Sequence, residues 1–397
     1  MARWRWQWLA LTAFAPASLA AVAIAKTADA HGNLIAKVEN GLLVGQSKDG
    51  SAITATLEAR MAEARVPAVS IAYIDDGSVV WSRAYGMANG GVAARPDTPF
   101  QAASLSKAVA AAGALRLVER RKLSLDADVN ARLKGWKVPG ANPVSLRQLL
   151  SHTAGLTVSG YGGYPRGGPV PTVVQSLRGV APSNTSAVRP FARPGEKFAY
   201  SGGGFSAAQL LMSDGAKTSF GELMERHVLH PAGMNASTFD QSPSGRFAST
   251  RAAGHDRAGK QIAGASHIYP ELAAAGLWTT PTDYARFVIA LQRSWRGERG
   301  ALLSHASAQA MMSPVTPGYG LGIGTLERGG RPSIVHSGSN EGFRTFFLAF
   351  LDGRREGVVV MTNSDNGGQL IAEIARTVGA ANGWVESPPP RSERAPD

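Results

Sequence analysis

The sequence predicts an α+β fold, in which an antiparallel sheet built from both ends of the chain has flanking helices and a largely helical middle region. Short apolar runs separated by turn residues occur at 69–83 and again at 319–362, a pattern typical of strands. Between them, from about 101 to 314, helical periodicity alternates with polar connections. Because strands come before and after the helices, we expect them to pair in one sheet with helices on its faces.

The first elements are predicted to be a helix and a β-hairpin. The helix is expected from Ala52 to Ala64 and ends near Pro67. Residues 69–73 and 79–83 flank an Asp-Gly pair at 76–77, which favours a tight turn between two antiparallel strands. Two strands therefore precede the long helical region.

The middle region is predicted to contain short helices joined by long irregular connections. Helices are expected at 144–150, 207–214 and 220–229. Residues 157–171 are rich in glycine and proline, and 180–197 form another polar connection. Irregular segments of this length usually surround a functional site.

The last third of the chain is predicted to return to the sheet and to close with a helix. The expected elements are strands at Tyr319–Gly324, Ser333–His336, Thr345–Leu351 and Gly357–Thr362, followed by a helix at Leu370–Val378.

The first thirty residues are predicted to be a secretory signal peptide. Arg3 and Arg5 precede an apolar stretch at 8–24, and small residues suited to cleavage follow at 23–25 and 28–30. We therefore expect export to the periplasm or the medium and no stable membrane insertion of the mature chain. An uncleaved N-terminal membrane anchor is the alternative, which a proline within the short apolar stretch disfavours.

The remainder is predicted to be one folded unit and a tail. Residues 31–386 are expected to form a single unit, with a sheet subdomain of about 50–100 and 315–380 and a helical subdomain of about 101–314. The proline-rich, charged tail at 387–397 is predicted to be disordered.

Composition narrows the function classes. The net charge is +12, but the arginines are scattered and no block of five or six like charges occurs, so we expect no nucleic-acid partner. Cysteine is absent and the eight histidines are dispersed without metal-ligand spacing, so neither a disulfide nor a metal is expected. A small-molecule or peptide substrate is the expected partner, with no cofactor.

The segment Ser104-Leu105-Ser106-Lys107 opens an alanine-rich helical run. Residues three apart share one helix face, so the lysine amine can take the hydroxyl proton of a nucleophilic serine. Ser104 is therefore a candidate nucleophile for acyl transfer and Lys107 its candidate base.

Two further segments offer candidate site residues. Tyr200 lies in a glycine-rich loop, from which a phenol near a lysine ammonium can act as general base. His336-Ser337-Gly338 end an apolar run, where alternate side chains of an edge strand would face a cleft. Taken alone, the tyrosine also fits a packing ring and the histidine a half-exposed strand residue.

A turn at 151–155 contains His152, which could be taken for a member of a catalytic triad. We disfavour that role because Lys107 is already within helical reach of Ser104. A histidine in a turn more often satisfies local backbone groups.

In combination and order, these segments resemble the motifs of serine β-lactamases and penicillin-binding proteins. Within that superfamily the chain is similar to the class C β-lactamase-related branch, which includes D-aminopeptidases, DD-carboxypeptidases and family VIII esterases. The resemblance spans about 66–378 and implies a β-lactamase/transpeptidase-like fold. The matching segments are Ser104–Lys107, Leu149–Leu156, Tyr200–Gly202, His336–Gly338, Val66–Ala68, Pro231–Met234, Ala274–Leu277, Tyr319–Gly322 and Thr362–Asp365.

The resemblance implies roles for matching residues. Ser104 would be acylated, Lys107 would act as base or proton relay, and Tyr200 would assist proton transfer to the leaving group. The backbone N–H groups of Ser104 and Ser339 would form the oxyanion hole, and Ser337 would hydrogen-bond the substrate on the strand side.

Two departures from the family pattern bear on the substrate. Gly202 stands where relatives often have asparagine, so it offers no amide to a penicillin or peptide. His336 stands where many relatives have lysine, and imidazole is a weaker cation at neutral pH. Arg344 is a candidate replacement charge for a substrate carboxylate. Tyr161 and Tyr164 are candidate aromatic contacts at the rim of an acyl pocket.

The expected function is therefore an exported serine hydrolase that works through a Ser104 acyl-enzyme on esters or small amide or D-peptide substrates. A β-lactamase or DD-carboxypeptidase is the alternative within the same class. A penicillin-binding receptor that deacylates too slowly to turn over is the alternative from another class.

Overall fold

The computed structural model describes residue 29 and residues 31–384. The predicted signal peptide, residue 29 apart, and the predicted tail lie outside the described residues. Across the described part of the chain, no helix is both long enough and apolar enough to cross a bilayer.

The described elements follow one another along the chain as a mixture of strands and helices. The strands are β1 (Leu42–Gln46), β2 (Ala52–Ala55), β3 (Ala68–Asp75), β4 (Ser78–Asn89), β5 (Val92–Ala93), β6 (Phe100–Gln101), β7 (Trp278–Thr279), β8 (Gly324–Arg328), β9 (Arg331–Asn340), β10 (Phe343–Phe350) and β11 (Gly357–Thr362). The helices are α1 (31–40), α2 (Leu57–Ala64), α3 (Ser106–Glu119), α4 (Leu146–Leu150), α5 (Val173–Arg178), α6 (Gly202–Ala216), α7 (Phe220–Met224), α8 (Leu272–Ala275), α9 (Pro281–Trp295), α10 (His305–Met312) and α11 (Gly367–Ala381).

A seven-stranded antiparallel sheet joins the two ends of the chain, in the order β5-β4-β3-β11-β10-β9-β8. The N-terminal hairpin of β3 and β4 pairs through β3 with β11, the last strand of the chain. Asp76 and Gly77, at the tip of that hairpin, have φ angles of 45° and 68°, as the favoured tight hairpin turn requires. The predicted α+β fold is confirmed, including the assembly of one sheet from both ends.

Helices cover both faces of the seven-stranded sheet, and the side chains of β11 are buried on both of them. Val358 and Val360 belong to an apolar cluster with Ile374 of α11 on one face. Val359 and Met361 point into the other cluster, which includes residues of α9. Burying each such side chain contributes about 1.5–3 kcal/mol. This two-sided burial explains why the strand is a continuous apolar run rather than an alternating one.

The helix predicted from Ala52 to Ala64 is wrong in its first turn. Residues 52–55 form β2, which pairs with β1. The helix begins only after Thr56, whose side-chain oxygen accepts the Ala59 N–H at 3.2 Å. A threonine cap after a strand-favouring segment sets this boundary.

The strand predicted at Tyr319–Gly324 is also wrong, because the segment consists of turns and β8 begins at its last residue. Gly322 has a φ of 72°, and its N–H donates to the Leu150 carbonyl at 2.8 Å. A Cβ at position 322 would lie 2.7 Å from the carbonyl oxygen of Lys107. Glycine thus lets these turns pack directly against the first turn of α3.

Candidate active site

Ser104 lies in a short 3-10 turn at Ala103–Leu105, immediately before α3. Ala103 has a φ of 50°, in the left-handed region that residues with a Cβ rarely adopt. Ser106 stabilises the turn, because its hydroxyl donates to the Ala103 carbonyl at 2.6 Å and accepts the Leu277 N–H at 3.0 Å. Ser104 itself is half-buried among fully buried neighbours, so its hydroxyl is accessible at a constrained position.

Lys107 is 2% exposed, and its ammonium contacts Ser104 as the spacing predicts. Its Nζ lies 3.0 Å from Ser104 Oγ and donates to the Ala274 carbonyl at the end of α8, at 2.9 Å. The distance between Nζ and Oγ is suited to direct proton transfer.

Tyr200 contacts the same lysine through its ring. The Lys107 Nζ lies 4.9 Å from the Tyr200 ring centroid and 5.7 Å from that of Phe205. Within residues 31–384, the Tyr200 hydroxyl has no hydrogen-bond partner, and no bond joins it to Ser104. The structure therefore brings the phenol to the site, and its role in proton transfer stays a prediction.

Helix α6 begins at Gly202, five residues earlier than predicted and two residues after Tyr200. Ser201 caps it by accepting the Gly204 N–H at 2.9 Å. A Cβ at Gly202 would lie 3.0 Å from the ring of Tyr161, and Tyr161 is hydrogen-bonded to Ser206 at 2.7 Å. The glycines that look like a loop in the sequence open the helix, and at Gly202 and Gly203 neighbouring groups lie so close that glycine is needed there.

His336 uses both ring nitrogens within the protein. Its Nδ1 lies 2.6 Å from the Ser337 carbonyl oxygen, which can only accept, so Nδ1 carries the proton. Its Nε2 accepts the hydroxyl of Tyr319 at 3.1 Å. Burial and the nearby Lys107 ammonium lower the pKa of His336 to about 4. Both ring nitrogens are thus engaged within the protein and the ring is neutral, so the role of His336 in binding substrate stays a prediction.

In the described chain, the last residues of β9, beside the site, have no strand paired with them on the β8 side. Strand β8 pairs with β9 only as far as Val335, so the stretch from His336 to Asn340 extends past it. In that stretch Ser337 and Ser339 are exposed, whereas Gly338 between them and the flanking His336 and Asn340 are buried. These two serines remain candidate substrate contacts.

Gly338 brings β9 close to the serine turn. A Cβ there would lie 2.3 Å from Thr345 Oγ1 and 2.6 Å from the Ala102 carbonyl oxygen. The Thr345 hydroxyl donates to the same carbonyl at 2.9 Å. Gly338 therefore acts by permitting close approach of backbone to backbone, two residues before Ser104.

Two candidate substrate contacts are engaged elsewhere. The Arg344 guanidinium forms an ion pair with Asp365 at 2.8 Å and donates to the carbonyls of Asn340 and Phe343. Its charge is compensated within the protein, and its role as a carboxylate ligand stays a prediction. Tyr164 is 3% exposed and packs in the interior, so it does not form a rim; Tyr161 is half-buried against Gly202.

His152 is the site residue that sequence reasoning set aside. It is 1% exposed, and its ring lies 4.2 Å from the ring of Tyr200. Its Nδ1 accepts the N–H of Ser201, 49 residues away, rather than a local backbone group. Its place in the motif Leu149–Leu156 was the available signal. In residues 31–384, no cluster of three or more His, Asp or Glu side chains could hold a metal ion.

A family model and several known proteins match this chain. A family model described as Beta-lactamase matches residues 53–382. Protein flp of Staphylococcus aureus (strain MW2) is 26% identical over 248 residues, which cover 58% of this chain and 45% of that protein. Protein Rv1367c of Mycobacterium tuberculosis (strain H37Rv) is 30% identical over 224 residues, covering 50% and 55%. The chain thus spans about half the length of the curated relatives it matches.

Solved structures share the fold at low sequence identity. An octameric penicillin-binding protein homologue from Pyrococcus abyssi has a TM-score of 0.68 and 24% identity, covering 83% of this chain and 77% of its own. D-amino acid amidase from Ochrobactrum anthropi has a TM-score of 0.69 and 18% identity, covering 89% and 98%. EstCE1, a hydrolase with promiscuous acyltransferase activity, has a TM-score of 0.65 and 20% identity, covering 81% and 96%.

Proposed function

Because the chain belongs to the β-lactamase family, a family of hydrolases, we propose that it is a serine hydrolase that forms an acyl-enzyme on Ser104. The observation that carries this proposal is the 3.0 Å separation between Lys107 Nζ and Ser104 Oγ at the start of a buried helix. A buried amine at that distance can accept the hydroxyl proton as Oγ attacks an acyl carbon.

The proposed reaction has two halves. In the first, Ser104 Oγ attacks the acyl carbon, Lys107 takes the proton, and the leaving group departs after receiving that proton directly or by way of Tyr200. In the second, water attacks the ester on Ser104, gives a proton to the same groups, and releases the acid with the serine restored. The backbone N–H groups of Ser104 and Ser339 are proposed to stabilise the oxyanion, each contributing about 3 kcal/mol.

Esters and small amide or D-peptide compounds are the proposed substrates. His336 is neutral with both nitrogens engaged, and Arg344 is paired with Asp365, so neither offers a charge to a substrate carboxylate. Gly202 offers no side-chain amide, and the ring of Tyr161 lies against it. These features disfavour β-lactams and DD-carboxypeptidase substrates, whose free carboxylate lies next to the bond that is cleaved, relative to esters, amides and D-peptides cleaved away from a free carboxylate. The amidase and the hydrolase with acyltransferase activity show that this fold supports such chemistry in other proteins.

The test compares wild type with Ser104→Ala on p-nitrophenyl acetate, p-nitrophenyl butyrate and nitrocefin. Steady ester hydrolysis is expected in wild type and a loss of more than about 10³-fold in the variant. The matched control is Ser244→Ala, an exposed serine in a turn, which should keep wild-type rates. A single stoichiometric burst without turnover would favour the penicillin-binding receptor, and faster turnover of nitrocefin than of esters would favour a β-lactamase. Hydrolysis by Ser104→Ala at the wild-type rate would refute the proposal.

Export is proposed on the character of residues 1–30, an arginine-led apolar stretch followed by small residues. A fusion of this segment to a reporter that folds only outside the cytoplasm should be active and shortened at its N-terminus. A fusion that is active but retains its full length in the membrane fraction would instead identify an anchor.

A further inference from the structure

His152 contacts both residues that flank Tyr200. Its carbonyl oxygen accepts the N–H of Ala199 at 2.7 Å, and its ring Nδ1 accepts the N–H of Ser201 at 3.0 Å. Tyr200 therefore lies between two backbone groups that are bound to the same residue. Two such bonds restrict both the position and the direction of the intervening residue.

The imidazole also packs on the phenol itself. The ring centroids of His152 and Tyr200 are 4.2 Å apart with an interplanar angle of 36°, and the Tyr200 ring lies 4.9 Å from Lys107 Nζ. Phe205, Tyr319 and Phe198 contact the other parts of the imidazole, with centroids 5.0–5.8 Å away. Because His152 is fully buried among these rings, it has little freedom to move, and neither does the phenol that packs on it.

The hydrogen bond to Ser201 requires a neutral imidazole. Nδ1 accepts an N–H, so the proton must be on Nε2, which is buried and has no partner in the described chain. The charged and titratable groups facing the ring are Lys107, His336, Tyr200 and Tyr319. Burial, Lys107 and His336 hold the pKa of His152 well below its ordinary value. The ring therefore stays an acceptor across the neutral range.

The backbone at His152 is strained. Its φ is 58°, in the left-handed region, and the surrounding structure maintains it there. Residues held in this way concentrate at functional sites, where the strain is offset by contacts elsewhere. Here the strained conformation directs the carbonyl and the ring of one residue to the two neighbours of Tyr200.

We propose that His152 is the positioning residue for Tyr200, and that it keeps the phenol against Lys107 through two backbone hydrogen bonds and ring packing by a neutral imidazole. This inference rests on the proposed serine hydrolase function. It assigns His152 no contact with substrate: its effect passes through Tyr200.

The test separates the ring from the hydrogen bond. His152→Asn keeps an acceptor oxygen at the place of Nδ1 and tolerates the positive φ, but loses the ring. His152→Phe keeps a ring and leaves the Ser201 N–H without its acceptor. We expect kcat for p-nitrophenyl butyrate to fall about 10-fold in the first and about 100-fold in the second, with KM changed less than about twofold, because small misplacements of reacting groups reduce rates by such factors. The control is His227→Asn, a histidine outside the site, which should keep wild-type kcat.

Both variants are then combined with Tyr200→Phe. If His152 acts through Tyr200, each second substitution lowers kcat less than about threefold in that background. Equal losses in both backgrounds, or wild-type kcat in folded His152→Asn, would overturn the inference. If His152→Phe does not fold, His152→Asn alone decides between these outcomes. Ser104→Ala is assayed alongside: if it stays active, the proposed function itself has failed and the inference falls with it, whereas an inactive Ser104→Ala assigns any negative result to His152.

Discussion

The two histidines beside the site are both buried and both neutral, but they differ in what their nitrogens bind. His336 donates from Nδ1 to its neighbour's carbonyl and accepts the Tyr319 hydroxyl at Nε2, so both nitrogens are satisfied. His152 accepts a backbone N–H at Nδ1, and its Nε2 has no partner in the described chain. The first is held by its own strand and a nearby turn, whereas the second joins two distant segments. We therefore expect changes at His336 to affect stability and changes at His152 to affect rate.

The largest expected effect is on kcat, and it comes from replacing Lys107, which lies near both histidines. Lys107→Met should lower kcat by roughly 10²–10⁴-fold, because it removes the proposed base. It should also raise the pKa of His152 and of His336, since Lys107 in its protonated form lowers both. Proton NMR titration of the two imidazoles measures this directly.

The control for that experiment is Lys122→Met, which alters an exposed lysine just after α3. It should leave kcat and the pKa values of both histidines unchanged. If the pKa values of the two histidines are the same in Lys107→Met as in wild type, burial alone keeps the rings neutral. Retention of full activity would refute the assignment of Lys107 as base.

The next effect is a loss of stability in acid. An unfolded histidine titrates near 6.5, whereas the folded pKa of His336 is about 4. The group's contribution is therefore present above about pH 6.5 and is lost as pH falls towards 4, with an upper magnitude of about 3 kcal/mol. His152 acts in the same direction. Urea unfolding at pH 7.5 and 4.5 should show a smaller loss in His336→Gln than in wild type.

His230→Gln, which alters an exposed histidine, is the matched control and should lose as much stability in acid as wild type. Identical acid losses in His336→Gln and wild type would show that carboxylates, rather than this buried ring, account for the decline.

The smallest effect distinguishes the two histidines most directly. Tyr319→Phe removes the hydroxyl bound to His336 and leaves a buried acceptor unsatisfied, which should cost about 1–2 kcal/mol of stability. Its ring remains packed on His152, so kcat should stay within about threefold of wild type. Thermal unfolding and ester kinetics on one preparation measure both. A large loss of kcat at unchanged stability would contradict the separation drawn between the two histidines.

Elements that are set by residues close together in the sequence were predicted well. The hairpin of β3 and β4 follows from an Asp-Gly pair between apolar runs, and the contact of Ser104 with Lys107 follows from their spacing on one helix turn. Both features are set within a few residues. The same holds for α11, whose apolar periodicity is visible in the sequence.

Features that depend on contacts between residues far apart in the sequence were not predicted. The glycines of Gly202–Gly204 suggest a loop, yet they form the first turn of α6, where Tyr161 and Val188 leave no room for side chains at positions 202 and 203. The strand predicted at Tyr319–Gly324 is a set of turns packed on α3. The ion pair of Arg344 with Asp365, on another segment, was likewise not visible in the sequence.

The sequence by itself determined the fold class and the pair of Ser104 and Lys107, because periodicity, turn residues and a three-residue spacing are local properties, and the resemblance of its motifs to known ones indicated the family. Only the tertiary structure decided which polar groups near that pair are free and which are engaged. It keeps His336 neutral, pairs Arg344 with Asp365, and bonds His152 to the residues before and after Tyr200. The physical reason is that hydrogen bonding, burial and charge compensation depend on which segments meet in space, and the order of residues does not specify those contacts one by one.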